Sequence, residues 1–286
     1  MNLINDIWNK AKKLNKTIVL PESSDSRIIK AAEIILQSRL AKIILIGNEV
    51  EVKKQAQNQG VDISAAQIIS STNEGPLNFA ADLVANGKAD GLVAGALSYS
   101  SDVIRACIKR VRLAPGQNRL TSFFIMLTQN KSLGEDGLFF FADCAVMPNP
   151  NQQELAEIAL QTADSFKVLT GREPRLALLT YFSEAVEKHP DAEKVRAAAE
   201  LVNKNNPDLL LAGEVKLEDA LASANILIFP DLDAGNIGYK ITERLAKATA
   251  IGPIFQGAAR PVNDLSRGCS IDNIVNVAAI TVVQSQ

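Results

Sequence analysis

The sequence predicts an α/β fold with mostly parallel sheets, on three observations. Short, continuously apolar runs alternate with amphipathic helical patterns, as expected of strands covered by helices. Hydroxyl, glycine and acidic residues gather in the turns after those runs. The chain has 286 residues, 47% of them hydrophobic, enough for one large core or two moderate ones.

In chain order, strands are expected at Thr17–Pro21, Ala41–Gly47, Ala66–Ser70, Ala89–Gly95, Leu120–Leu127, Leu138–Asp143, Arg175–Tyr181, Leu209–Glu214, Ala224–Asp231 and Ala250–Phe255. Helical patterns fill most intervals. Met1–Trp8 opens as an amphipathic helix. Ser26–Ser38 follows Asp25 and puts Ile28, Ile29, Ala32 and Ile35 on one face. Pro150–Val168 does the same with Leu155, Ile158, Ala159, Ala163 and Phe166, and Ala192–Asn203 and Gly235–Ala246 follow. The polar turn 129–137 is the best linker near the middle, and a crossing at 259–263 would return the chain to its first part. The expected division is therefore 1–136 plus 263–286 against 137–262, two α/β lobes with a cleft.

Parallel sheets bind ligands beyond the strand C-termini. That rule selects the turns Pro21–Asp25, Gly95–Asp102, Asp143–Cys144, Glu214 and Pro230–Asn236. Composition removes several function classes. Net charge is −2, and no basic stripe with interleaved aromatics argues for nucleic acid. No segment reaches the ~18 apolar residues of a membrane span. The first residues lack a signal-peptide apolar run, so a soluble, cytoplasmic protein is expected.

Cys107, Cys144 and Cys269 lie far apart with no C-x-x-C, which leaves no disulfide framework or zinc site. His189 is the single histidine, in a setting that reads as a surface loop. Histidine metal clusters are excluded and histidine triads nearly so. No G-x-G-x-x-G follows a strand, and no P-loop occurs. Chemistry must rest on carboxylates, arginines, hydroxyls, amides or a thiol.

The run Pro261–Ser270, continuing into Ile271–Val275, is the most informative. It sets Ser266, Arg267, Gly268 and Cys269 on a short polar loop. A helix follows, with Ser270 as N-cap and Ile274, Val275, Val277, Ala278 and Ile280 as its apolar face. Helix-start N–H groups and a guanidinium together suit a phosphate or another anion.

Four runs together resemble one family. They are Gly95–Arg105, Phe141–Ala145 with Pro148–Pro150, Ile228–Lys240, and Gly252–Ile254 with Gln256–Gly257 leading into the run above. Over nearly its whole length the chain resembles the phosphate acetyltransferases (phosphotransacetylases), a group of phosphate acyltransferases. The resemblance implies a two-lobed, three-layer α/β sandwich like that of isocitrate and isopropylmalate dehydrogenases, with the active site in the cleft and a homodimer as the usual assembly. It implies direct transfer of an acetyl group: acetyl-CoA + phosphate = CoA + acetyl phosphate. Coenzyme A is then a substrate, and no bound cofactor or metal takes part.

The same resemblance assigns roles. Arg267 matches the family arginine that pairs with the phosphate and stabilises developing charge. Ser266 matches its neighbour, which orients the acyl phosphate or assists the thiol. An ion pair of Arg267 with Asp264 or Asp231 is the structural alternative. Arg105 matches an arginine tied to coenzyme A recognition. Ser98, Ser100 and Ser101 form a hydroxyl-rich turn that can donate to phosphate, and Cys269 lines the pocket. Asn236 and Tyr239 are either structural or near the site.

Departures are equally specific. The family usually carries a carboxylate seven positions after the serine, as thiol base. Here that position is Asn273, and an amide cannot serve. Asp272 is adjacent, but a helix turns about 100° per residue. It is a substitute base only if the helix start is irregular; otherwise it complements the helix dipole. The region 70–80 is short, a Ser/Thr/Gly-rich loop is replaced by Phe182–Lys188, and a connection between Asp219 and Ala224 is missing. Three alternatives stay open: a phosphate butyryltransferase-like enzyme, a weakly active or non-catalytic coenzyme A-binding paralogue, and a covalent role for Cys269 with a depressed pKa.

Overall fold

The computed structural model describes residues 3–71, 73–181 and 189–286. The replaced loop expected at Phe182–Lys188 lies outside them. The chain opens with α1 (Leu3–Leu14), β1 (Thr17–Leu20), α2 (Ser26–Gln37), β2 (Lys42–Ile46), α3 (Glu49–Gln59), β3 (Gln67–Ile69), α4 (Pro76–Ala85) and β4 (Gly91–Ala94). Next comes α5 (Ser100–Ala106), continued by a π-helical turn, Cys107–Val111. Then follow β5 (Thr121–Leu127), β6 (Leu138–Ala142), α6 (Gln152–Thr170), β7 (Arg175–Leu179), α7 (Pro190–Asn205), β8 (Leu210–Val215), α8 (Leu217–Ser223), β9 (Ile226–Ile228), α9 (Leu232–Arg244) and β10 (Thr249–Gln256). β11 (Val262–Asp264) and α10 (Ile271–Gln284) complete it.

Two compact units result: residues 1–118 with 257–286, and residues 119–256. The expected boundaries at 136 and 262 are corrected by hydrogen bonding. The turn 129–137 is no linker; it closes an antiparallel hairpin in which Leu127 pairs with Leu138. Residues after Gln256 belong to the first unit, where the Ala114 N–H donates to the Gly257 carbonyl and the Ala259 N–H to that of Arg112.

The first unit holds a five-stranded sheet in the order β11-β4-β1-β2-β3, parallel throughout. Ile18, Val19, Leu20, Leu45, Leu92 and Val93 are buried in it. Each such aliphatic side chain contributes about 1.5–3 kcal/mol by leaving water. α10 and α4 both pack on β1 and β4. α2 begins where Asp25 accepts the Arg27 N–H at 2.8 Å, and it buries Ile28, Ile29, Ala32 and Ile35 as its pattern requires.

The second unit holds six strands in the order β10-β5-β6-β9-β7-β8. Four run parallel (β6, β9, β7 and β8), and β10 and β5 join antiparallel. Phe123 and Phe140 stack at 4.7 Å in its core, and Phe166 of α6 meets Phe140 edge-on.

Some elements escape the sequence pattern. β11 lies in what reads as a polar loop. The Asn263 amide is satisfied inside the fold: Nδ2 donates to Thr281 Oγ1 at 2.8 Å and to Gln284 Oε1 at 2.7 Å. α3, α4 and α8 are short or weakly patterned. His189 is the N-cap of α7, where its ring accepts the Asp191 N–H at 3.3 Å.

Candidate active site

In the first sheet β1 lies between β2 and β4, so the chain moves outward one way through β2 and β3 and the other way through β4 and β11. Loops after β1 and β4 part at such a reversal, and a ligand crevice is expected there. The loop after β11 lies alongside.

Glu22 organises this place. It is 6% exposed. One carboxylate oxygen accepts the N–H groups of Gly95 and Ala96 at 3.0 and 2.8 Å. The other accepts those of Leu97 and Ser98 at 3.1 and 2.7 Å. A carboxylate from the β1–α2 loop thus fixes the β4–α5 turn. The Ser98 N–H is used by Glu22, so the donation expected of this residue falls to its hydroxyl. Ser100 and Ser101 open α5, but the N-cap is Tyr99 and carries no side-chain cap bond.

Arg267 is exposed. Its guanidinium carbon sits 3.8 Å from the centroid of the Tyr99 ring. Stacking on an aromatic face holds an arginine without neutralising it. Among the described residues Arg267 makes no ion pair. The alternative pairing with Asp264 or Asp231 is not seen. Asp231 instead caps α9 through the Ala234 N–H at 2.8 Å.

Asp264 ends β11, 1% exposed. Burial lifts its carboxyl to about 7, with Glu22 adding to the rise; bonds from Ser100 and the Leu265 N–H oppose it. Gly95 beside it has φ 113°, and a Cβ there would collide with Asp264 Oδ1 and the Leu265 backbone. Unfolded, the carboxyl titrates near 3.8. Between those values the folded chain keeps a proton that the unfolded chain has lost, so stability falls as pH rises through the window. Asp264→Asn removes that loss. Its melting temperature relative to wild type should climb between about pH 4 and 7, and a constant difference would contradict the assignment.

Cys269 is 6% exposed, and burial raises its thiol pKa while Arg27 pulls the other way. The depressed pKa needed for a covalent nucleophile is absent. Ser270 caps α10 by accepting the Asn273 N–H at 3.1 Å. Asp272 is exposed and Asn273 half-buried, so the two positions meet different surroundings in a regular helix start.

Arg105 lies further along α5, about 7.5 Å beyond Ser100 by helical rise, and pairs with Asp102 at 2.5 Å. It lines a cavity of about 390 Å³ together with Asn78, Lys109 and Arg110. A larger cavity, about 620 Å³, lies against α3 and β3. Its wall carries one cation, Lys53, paired with Glu49 at 2.6 Å, whereas the other carries Arg105, Lys109 and Arg110, the two arginines paired with Asp102 and with Glu74 and Asp82.

In the second unit Asn236 Nδ2 donates to the Cys144 carbonyl at 3.0 Å, and Tyr239 stacks on Phe124 at 4.0 Å. Asp143 is buried and accepts from Ser122, Ala145 and Val146. Among the described residues no cluster of three or more His, Cys, Asp or Glu could hold a metal ion.

The fold is an α/β protein whose first sheet is parallel and whose loop after β11 carries an exposed guanidinium stacked on Tyr99. Comparison narrows the class. The model of the family described as phosphate acetyl/butaryl transferase matches residues 2–75 and 69–282. The phosphate acetyltransferase of Thermoanaerobacterium thermosaccharolyticum is 42% identical over 330 aligned positions, covering all of both chains. A solved phosphotransacetylase from Streptococcus pyogenes superposes with a TM-score of 0.90 at 34% identity, over 99% of this chain and 98% of that one. A 4-hydroxythreonine-4-phosphate dehydrogenase from Klebsiella pneumoniae, 10% identical with a TM-score of 0.60 over 95% of this chain and 100% of its own, shares the fold alone. The chain belongs to the phosphate acetyl/butyryl transferase family. Its 286 residues face gaps in an alignment of 330 positions, in keeping with the trims read from the sequence.

Proposed function

We propose that this chain moves an acetyl group between phosphate and coenzyme A, the activity for which its relatives are named. The observation that carries the reading is the exposed Arg267 guanidinium, stacked on Tyr99 and free of any ion pair among the described residues. Acetyl phosphate is a small dianion with a carbonyl beside it. A guanidinium meets the phosphate in a two-pronged fork and stabilises charge as the phosphate leaves.

The coenzyme A thiolate attacks the acetyl carbonyl carbon. A C–S bond forms, the C–O bond to phosphate breaks, and the electron pair departs with phosphate. Arg267 holds the phosphate and Ser266 orients the acyl group. Ser101 offers a hydroxyl, while that of Ser100 goes to Asp264. Cys269 packs beneath the loop rather than reacting. Arg105, with Lys109 in the same cavity, suits the phosphates of coenzyme A, exchanging Asp102 for them. Asn273 supplies no base, so thiolate comes from coenzyme A itself. With a thiol pKa near ~8.5, roughly a tenth is ionised at pH 7.5.

Coenzyme A enters as substrate, and the reaction as written needs no resident cofactor. Thioester absorbance tests the acyl group. Acetyl phosphate should exceed butyryl phosphate at least about tenfold in kcat/KM, whereas a preference for butyryl phosphate would favour the butyryltransferase branch. A homodimer is proposed as well. Ile237 and Ile241 on α9 and Leu245 at its C-cap, spaced by four, are 55%, 52% and 79% exposed, an apolar stripe suited to a second copy. A single-chain mass by light scattering would contradict it. The reading also places the protein in the cytoplasm, where coenzyme A is available; recovery with membranes on fractionation would contradict that.

A further inference from the structure

The geometry points to Arg27 as the positioning residue for Arg267: its guanidinium ties the loops after β1, β4 and β11 into one unit and fixes the backbone that presents the phosphate-binding arginine. This rests on the acetyl-transfer reading above.

Every N–H of the Arg27 side chain is committed. Nε donates to both Asp25 oxygens at 3.1 and 3.2 Å, and Nη2 to Asp25 Oδ2 at 2.6 Å. Asp25 therefore orients the plane, and the pairing holds its own carboxyl below the usual range. Nη2 also reaches the Ala96 carbonyl at 3.2 Å, in the turn that Glu22 organises. Nη1 donates to the Arg267 carbonyl at 2.7 Å and to the Cys269 carbonyl at 2.9 Å. These two carbonyls bracket Gly268, the most pliable point of the loop. Without the clamp, the backbone on either side of Gly268 would rest on the Ser266–Cys269 turn bond of 2.9 Å, the burial of Leu265 and Cys269 and the stack on Tyr99. Lysine cannot replace the clamp, because a single ammonium lacks the planar fork that meets three loops at once.

The test is a double-mutant cycle on the full chain. Arg27→Lys should lower kcat/KM for acetyl phosphate by about 10²-fold, the scale of a small misplacement, with KM for coenzyme A within about twofold. In an Arg267→Ala background the same change should cost no more than about threefold, since nothing is left to position. A merely structural residue would cost the same factor in both backgrounds, and that result would overturn the proposal. So would near-normal kinetics of Arg27→Lys alone. If Arg27→Lys has no cooperative melt, Arg27→Ala assayed with and without sub-denaturing guanidinium ion decides: restored turnover supports the clamp, and no restoration overturns it. If the wild-type chain forms no thioester, the acetyl-transfer reading falls and calorimetric titration with inorganic phosphate still reads the clamp. Binding about tenfold weaker in Arg27→Lys than in wild type supports it; equal binding, or none to wild type, overturns it.

Discussion

Replacing Arg267 by alanine should cut turnover by about 10²–10³-fold, the range seen when one preorganised charge stabiliser is removed. The side chain is exposed and held by one aromatic face, worth about 1 kcal/mol, so the variant should stay folded. The loss should fall on the phosphate side. KM for acetyl phosphate should rise and kcat fall, with little change in KM for coenzyme A. Arg267→Lys keeps the charge but loses the fork, so it should recover only part of the rate. Near-normal turnover of Arg267→Ala in steady-state assays would remove this residue from the mechanism.

The second large effect runs in the opposite direction. Asn273 stands in the first turn of α10, its N–H donating to Ser270. A carboxylate there suits the helix dipole and restores the base usual in the family. General-base assistance is typically worth ~10²–10⁴-fold. Asn273→Asp should therefore raise kcat most at pH 6.5, where thiolate is scarce, and least near pH 9, where it is abundant. The steep rise of rate with pH expected for the wild type should flatten. An unchanged profile would mean that Asn273 does not mark a missing base.

These two residues were legible in the sequence; what holds them was not. Ser266, Arg267, Cys269 and the Ser270 cap are contiguous, so a helix start and a guanidinium can be read side by side. Strands such as β1, β4, β6 and β9 showed as apolar runs because both their faces are buried. β11 did not show, since Asn263 and Asp264 are polar, and the Asn263 amide finds its partners on α10. Glu22 lay in a turn that the strand-end rule had selected, yet its role depends on N–H groups from Gly95 onward, 73 positions away. Arg27 reads as an ordinary residue of an amphipathic helix; its partner carbonyl is 240 positions away. Backbone carbonyls and N–H groups carry no residue type, so no motif announces such contacts. The polar turn 129–137 misled for a related reason: a hairpin loop and a linker share the same composition.

The most direct measurement is wild-type turnover itself, thioester absorbance with coenzyme A and acetyl phosphate from pH 6.5 to 9, alongside coenzyme A binding by calorimetry. The expected result is turnover that climbs with pH as thiolate accumulates. Coenzyme A binding with no thioester at any pH would contradict acetyl transfer and leave a non-catalytic binding protein.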